Sequence, residues 1–229
     1  MSGRYLTFIS TNLIALFANS YGQTRPKVST TTGTIVGISS TSSLNGSSMV
    51  VTSFLGIPYA APPVAMLRFA KPQPHEPWTE DFDASNYGPH CPQLGNAVFG
   101  NKDSFEEDCL TLNVVIPGEV SVNSSLAIMV WFHGGVFTVH GSSTTPGHYD
   151  TLATLGQVIV ISVNSLLGVF GFLSTGDDCA RGNWGLWDQR LALQWVTDNA
   201  HNFGGDSRRI TSLGNPLAQI VYCIMLYLL

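Results

Sequence analysis

At 229 residues, 44% of them hydrophobic, the chain can bury the core of one α/β domain or of two small ones. Charged residues make up only 11%, far below the roughly one quarter usual in globular proteins, so Ser, Thr, Asn and Gly must carry much of the polar surface. A formal net charge of −5, without a Lys/Arg cluster, excludes an electrostatic footprint for nucleic acid and a basic membrane-surface patch.

The N-terminus places Arg4 before a mostly apolar run, Tyr5 to Ala18, and then small residues at Ala18-Asn19-Ser20. That order predicts a signal peptide over residues 1–22. The run is too short, and too interrupted at Ser10-Thr11-Asn12, to span a membrane. Two Asn-x-Ser sequons, at Asn45 and Asn123, lie in polar stretches suited to glycans. Both features point to the secretory pathway. Cys91, Cys109, Cys179 and Cys223 form no C-x-x-C pair, so no structural zinc site is expected. In an oxidising compartment a disulfide is the better expectation. A bridge from Cys91 to Cys109 would close a short loop and contribute about 3 kcal/mol.

Past the leader, Val28 to Ile38 alternates Thr and Gly with Val and Ile, which predicts a short antiparallel strand pair. Residues 39–48 are expected to form a Ser/Gly turn. Phe54 to Pro63 reads as Pro-rich loop, and Pro72, Pro74 and Pro77 continue it towards Trp78. No internal repeat is present, and no linker is long enough to separate two domains. From Leu126 the pattern sharpens. "LAIMVWF" (Leu126 to Phe132) and "VIVISV" (Val158 to Val163) are unbroken apolar runs, which suit strands buried on both faces of a parallel sheet. Trp184, Trp187, Leu191 and Trp195 then step by three and four along a predicted helix that Gly204-Gly205 ends, and the three tryptophans are expected in the core. Ile210 to Leu213 follows as a brief strand, giving the strand, helix, strand order of open α/β sheets.

Several blocks in this order resemble the type B carboxylesterase/cholinesterase family of the α/β-hydrolase fold, from about Val28 to Gly214. They are "FLGIPYAAPPV" with "LRFA" at Leu67 to Ala70, "EDCLTLNV" at Glu107 to Val114, and "VWFHGG" at Val130 to Gly135. "GVFGFLSTGD" at Gly168 to Asp177, "RGNWGLWDQRLALQWV" at Arg181 to Val196, and "NFGGD" at Asn202 to Asp206 continue the match. The resemblance implies an incomplete α/β-hydrolase fold over residues 23–214, truncated at the nucleophile elbow, with a divergent apolar tail over 215–229. It implies a secreted or membrane-tethered serine esterase that acts on a small-molecule carboxylic ester through an acyl-enzyme, with no cofactor, no metal and no nucleic acid. The family's acid and histidine lie well beyond its nucleophile and would fall after Leu229.

By the same resemblance, His133-Gly134-Gly135-Val136 occupies the place of a "HGGG" oxyanion loop, with Gly134, Gly135 and Val136 supplying the hole. Valine is β-branched and disfavours backbone angles that glycine accepts, so the last donor is compromised; losing one such donor typically costs about 3 kcal/mol of transition-state stabilisation. The serine of G-x-S-x-G would stand at Pro216, in Gly214-Asn215-Pro216-Leu217-Ala218. Proline has neither hydroxyl nor N–H, so the chain as given is expected to be inactive. His75, His90, His140, His148 and His201 are expected to be ordinary polar residues. The resemblance also implies a structural ion pair between Arg68 and Glu107. Leu166 stands where the family carries an arginine, which would leave Asp188 buried without that partner.

Two other functions fit the missing serine: a catalytically dead, cholinesterase-like binding or adhesion protein, and a truncated product without function. The thirteen residues from Leu217 to Leu229, apolar but for Gln219, are too few for a membrane anchor, and a lipid-anchor signal there would end the protein inside an unfinished sheet. A change of reading frame or splicing accounts for them better. Asn-Ser-Ala-Gly encoded AAC TCC GCT GGC becomes Asn-Pro-Leu-Ala, the residues at 215 to 218, when the first T is lost. Sequencing gene and transcript across codons 210 to 229 is expected to show an esterase-like continuation in the alternative frame; unrelated sequence there would end this explanation.

Overall fold

The computed structural model describes residues 25–44, 47–93, 105–144 and 146–214. The residues expected to form a signal peptide, Asn45, Cys223 and residues 215–229 with Pro216 lie outside the described residues.

The described residues form two sheets. β1 (Lys27–Thr30) and β2 (Gly33–Val36) form the antiparallel pair that the Thr/Val alternation predicts, and β5 (Phe82–Asp83) joins β2 in parallel. The larger sheet has the order β3-β4-β6-β8-β7-β9, built from β3 (Ile38–Leu44), β4 (Ser47–Pro58), β6 (Thr111–Pro117), β7 (Leu126–Phe132), β8 (Ile159–Val163) and β9 (Gly205–Gly214). Its helices are α1 (Pro146–Gly156), α2 (Gly168–Phe172) and α3 (Trp184–Asn199).

Several expectations are corrected here. Of the residues expected as a Ser/Gly turn, 39–44 lie in β3 and 47–48 start β4, paired antiparallel from Ile38↔Ser53 to Leu44↔Ser47. Serine has low strand propensity, but at the edge of a sheet the backbone ladder suffices and the side chains can stay in water. Phe54 to Pro58, expected as loop, is the end of β4. The sheet is mixed rather than parallel: β3, β4, β6 and β8 pair antiparallel, and only β8-β7-β9 are parallel. Unbroken apolar runs report burial on both faces, and they do not report strand direction.

Burial on both faces follows residue by residue, because side chains alternate along a strand. Val114 and Ile116 of β6, Ile128 and Val130 of β7, and Ile159, Ile161 and Val163 of β8 share one core with Ala192, Trp195 and Val196 of α3. Val115 and Val160 face the other way and pack with Tyr149 and Ala153 of α1, where Met129 and Trp131 also lie. The chain leaves β7 through α1 to β8 on one side, then returns through α2 and α3 to β9 on the other. Helices on opposite faces are what right-handed crossovers require when the direction of winding reverses.

Helix α3 departs from its predicted stripe. Trp184 and Trp195 are buried, but so are Asp188, Gln189 and Asn199, while Trp187 and Leu191 are only partly covered. The core face of α3 is thus rotated towards polar residues, and Trp187 lies on its flank. Asn199 justifies its burial by binding back to the small sheet. Its Oδ1 accepts from the Thr31 N–H (2.8 Å), and its Nδ2 donates to Trp195 O (2.8 Å) and to Thr31 Oγ1 (3.1 Å).

A second buried asparagine repairs an irregularity. The β4–β6 register shifts between Phe54 and Ile57, where Gly56 takes φ 65°. A bulge leaves a backbone donor without a ladder partner, and Asn113 Oδ1 accepts the Gly56 N–H at 2.8 Å. Asn113 Nδ2 donates to Ser142 Oγ and to Ser162 Oγ, both at 3.0 Å. A side chain on Gly56 would also collide with Asn86 O, 2.6 Å from its Cβ. Replacing Asn113 by Ala strands a buried N–H. Asn113→Ala is therefore expected to lower unfolding free energy by about 2 kcal/mol in a denaturant titration.

Candidate active site

β7 and β9 are parallel, with Phe132↔Gly214 in register, and β8 brings Val163 to the other side of Phe132. The loop beginning at His133 therefore leaves the sheet beside the end of β9. Crevices at the carboxyl ends of parallel strands, where winding reverses, are the usual ligand sites of such sheets.

The loop is strained and held. Gly135 takes φ 111°, and a Cβ there would stand 2.1 Å from Val139 O, so only glycine fits. Val136 (φ 54°) and Phe137 (φ 59°) follow in the left-handed region, at a cost of about 1–2 kcal/mol each for L-residues. The N–H groups of Thr138 (2.9 Å) and Val139 (3.2 Å) donate to Gly135 O, and Gly168 N–H donates to Phe137 O at 2.7 Å. The Phe137 and Phe172 rings, 5.0 Å between centroids, pack the loop against α2. Val136 itself is 68% exposed. The amides of Gly134, Gly135 and Val136 donate to no other group among the described residues. His133 Nδ1–H donates to Gly134 O at 2.8 Å, and burial pushes its pKa down to about 4, so the ring is neutral near pH 7.

Behind the loop, Asn164 at the end of β8 acts as a second polar tie. Its Oδ1 accepts from Ser142 N–H (2.7 Å), its Nδ2 donates to Pro89 O (3.0 Å), and its carbonyl accepts from the Tyr59 hydroxyl (2.7 Å). Gln93 exchanges hydrogen bonds with the backbone of His140, donating to its carbonyl (2.8 Å) and accepting from its N–H (2.7 Å). Near it, Cys91 and Cys109 form the expected disulfide. Arg68 donates from Nε and from a terminal nitrogen to the two carboxylate oxygens of Glu107, at 2.7 Å each. Such paired contacts fix orientation more than they add stability at an open surface. Asn123 lies exposed in the turn before β7, and Cys179 is an exposed free thiol. The sequence reading missed Asn113, Asn164 and Gln93. Buried Asn in the middle or at the end of an apolar strand is the signal that could have found the first two.

Asp188 is 1% exposed. With leucine at 166, its Oδ2 accepts from the Leu166 N–H at 3.0 Å, and among the described residues no cation pairs with it. A backbone donor, not a side-chain cation, thus meets this buried carboxylate. Burial raises the Asp188 pKa to about 7, against a smaller opposing effect of that hydrogen bond. Tyr59 is pushed up first by its own burial and then by the Asp188 charge.

A family model described as the Carboxylesterase family matches residues 24–216. Liver carboxylesterase 1F of Rattus norvegicus is 42% identical over 200 residues, 82% of this chain and 35% of that protein. Carboxylesterase 1D of Mus musculus is 42% identical over 216 residues, 89% of this chain and 37% of its own length. Among solved structures, a thermophilic PNB esterase superposes with a TM-score of 0.74 at 38% identity, covering 87% of this chain and 40% of that one.

The raised Asp188 pKa fixes the sign of a pH effect. Below the ordinary carboxylate range, near pH 4, the group is protonated folded or unfolded, and burial carries no ionisation penalty. Between about pH 4 and about 7 the unfolded chain releases the proton while the native chain keeps it, so stability falls as pH rises. Asp188→Asn is expected to flatten this slope and to be more stable than the parent at pH 8 by about 2–4 kcal/mol in paired denaturant titrations.

Proposed function

The chain belongs to the carboxylesterase family, and from that premise we propose that it descends from a serine hydrolase of carboxylic esters whose site is built on the ends of β7 and β9. It spans little more than a third of the length of the curated relatives it matches. The supporting observation is the Phe132↔Gly214 register, which sets a glycine-bearing loop beside the strand end that leads, two residues later, to position 216.

In this reading Gly134, Gly135 and Val136 form the oxyanion hole. Ester attack turns a carbonyl oxygen into an oxyanion, and backbone N–H groups fixed in advance stabilise that charge without reorganising. The clamps on Gly135 O and Phe137 O hold the loop in place, and the strain at Val136 is the penalty of carrying a side chain where glycine is at ease. Neutral His133 has a structural part, closing the loop onto Gly134 O. The nucleophile position is Pro216, which cannot form an acyl-enzyme. The disulfide, the exposed Asn123 sequon and the leader-like N-terminus support passage through the secretory pathway, with Arg68 and Glu107 as a structural pair and residues 215–229 as a divergent tail.

A colorimetric assay with p-nitrophenyl acetate tests the inactive reading. The purified chain is expected to release nitrophenol no faster than a boiled sample. Turnover above that control, abolished by an independent acylating inhibitor, would overturn it.

A further inference from the structure

Helix α3 carries on its flank a groove that shares no lining residue with the loop at His133. Lys71 Nζ sits 3.7 Å from the ring centroid of half-buried Trp187, and the guanidinium carbon of Arg190 is 5.5 Å from the same centroid. Leu191 adds to the apolar wall, and Gln73 and Gln194 stand at the rim of a space of about 250 Å³. Apolar walls with a few convergent polar groups are the usual make-up of a small-molecule site.

The charges are what point to a ligand. Among the described residues neither Lys71 nor Arg190 has a carboxylate partner, although acidic residues outnumber basic ones 15 to 10 in the chain. Asp198, two turns beyond Arg190 on α3, is engaged by Gln194 Nε2 at 2.8 Å. Both cations are measured to one centroid, so they lie no more than about 9 Å apart, within the screening length of ordinary buffers. Two like charges held this close repel each other, and an anion between them removes that repulsion. The planar guanidinium fork suits a carboxylate, and Trp187 and Leu191 suit a flat apolar body.

We infer that the groove between the Lys71–Gln73 segment and α3 binds a small amphipathic carboxylate. Its carboxylate accepts hydrogen bonds from Lys71 and Arg190, and its hydrocarbon lies against Trp187 and Leu191. The groove is not part of the loop at His133, and its ligand need not be a substrate.

Calorimetric titration with 2-naphthoate tests this, with 2-naphthamide and inorganic phosphate as parallel probes. The naphthoate is expected to bind at one saturable site and to weaken as salt is raised, with the amide and phosphate each weaker by about 10-fold or more. Lys71→Gln and Arg190→Gln, both at exposed positions, are each expected to weaken naphthoate binding by about 5- to 10-fold. Equal binding of the amide would reduce the groove to an apolar patch and overturn the inference. So would phosphate matching naphthoate, an absence of saturable binding, or unchanged affinity in both variants. The acid-against-amide comparison on the unsubstituted chain decides the matter even where a variant fails to fold.

Discussion

Phe132 is paired in register with Val163 on one side and Gly214 on the other, so the last residue of β7 has the carboxyl ends of both its parallel neighbours beside it. Everything at the candidate site depends on that double pairing. It aims the loop from His133 at the end of β9, and it requires the chain to cross the sheet twice with helices on opposite faces. The two apolar clusters, one under α3 and one under α1, are the energetic expression of the same arrangement. The central strands β6, β7 and β8 are mostly apolar on both sides because both of their faces are covered.

The loop shows how a packed scaffold sustains local strain. Left-handed Val136 and Phe137 would relax in a free peptide, yet here the Gly135 carbonyl accepts two N–H groups and Gly168 grips the Phe137 carbonyl. Buried polar residues then join the segments behind it. Asn113 fills the gap at the Gly56 bulge, and Asn164 ties the Ser142 and Pro89 backbones and Tyr59 to the end of β8. These hubs are satisfied at several atoms, which is why burial does not penalise them as it penalises Asp188.

Asp188 shows what sequence and structure each contribute at a buried carboxylate. Leucine at 166 cannot pair with a carboxylate through its side chain, and the sequence makes that plain. Its backbone N–H nevertheless still reaches Asp188, a contact set by how the loop after β8 meets α3. Trp187 went the other way. Spacing assigned it to the core with Trp184 and Trp195, but the helix is turned so that polar Gln189 and Asn199 are covered and Trp187 meets Lys71 instead.

Sequence by itself determined the family, the central strands, the long helix and the glycine-bearing loop after β7, because these rest on local words and on strongly apolar runs. It also placed Gly135, whose role needs no more than the absence of a side chain. Strand direction, the Ser-rich β3–β4 hairpin, the face that α3 presents and the partners of Asn113 and Asn164 were decided by the tertiary structure. Each of those depends on atoms far apart along the chain, whose proximity no window of sequence contains.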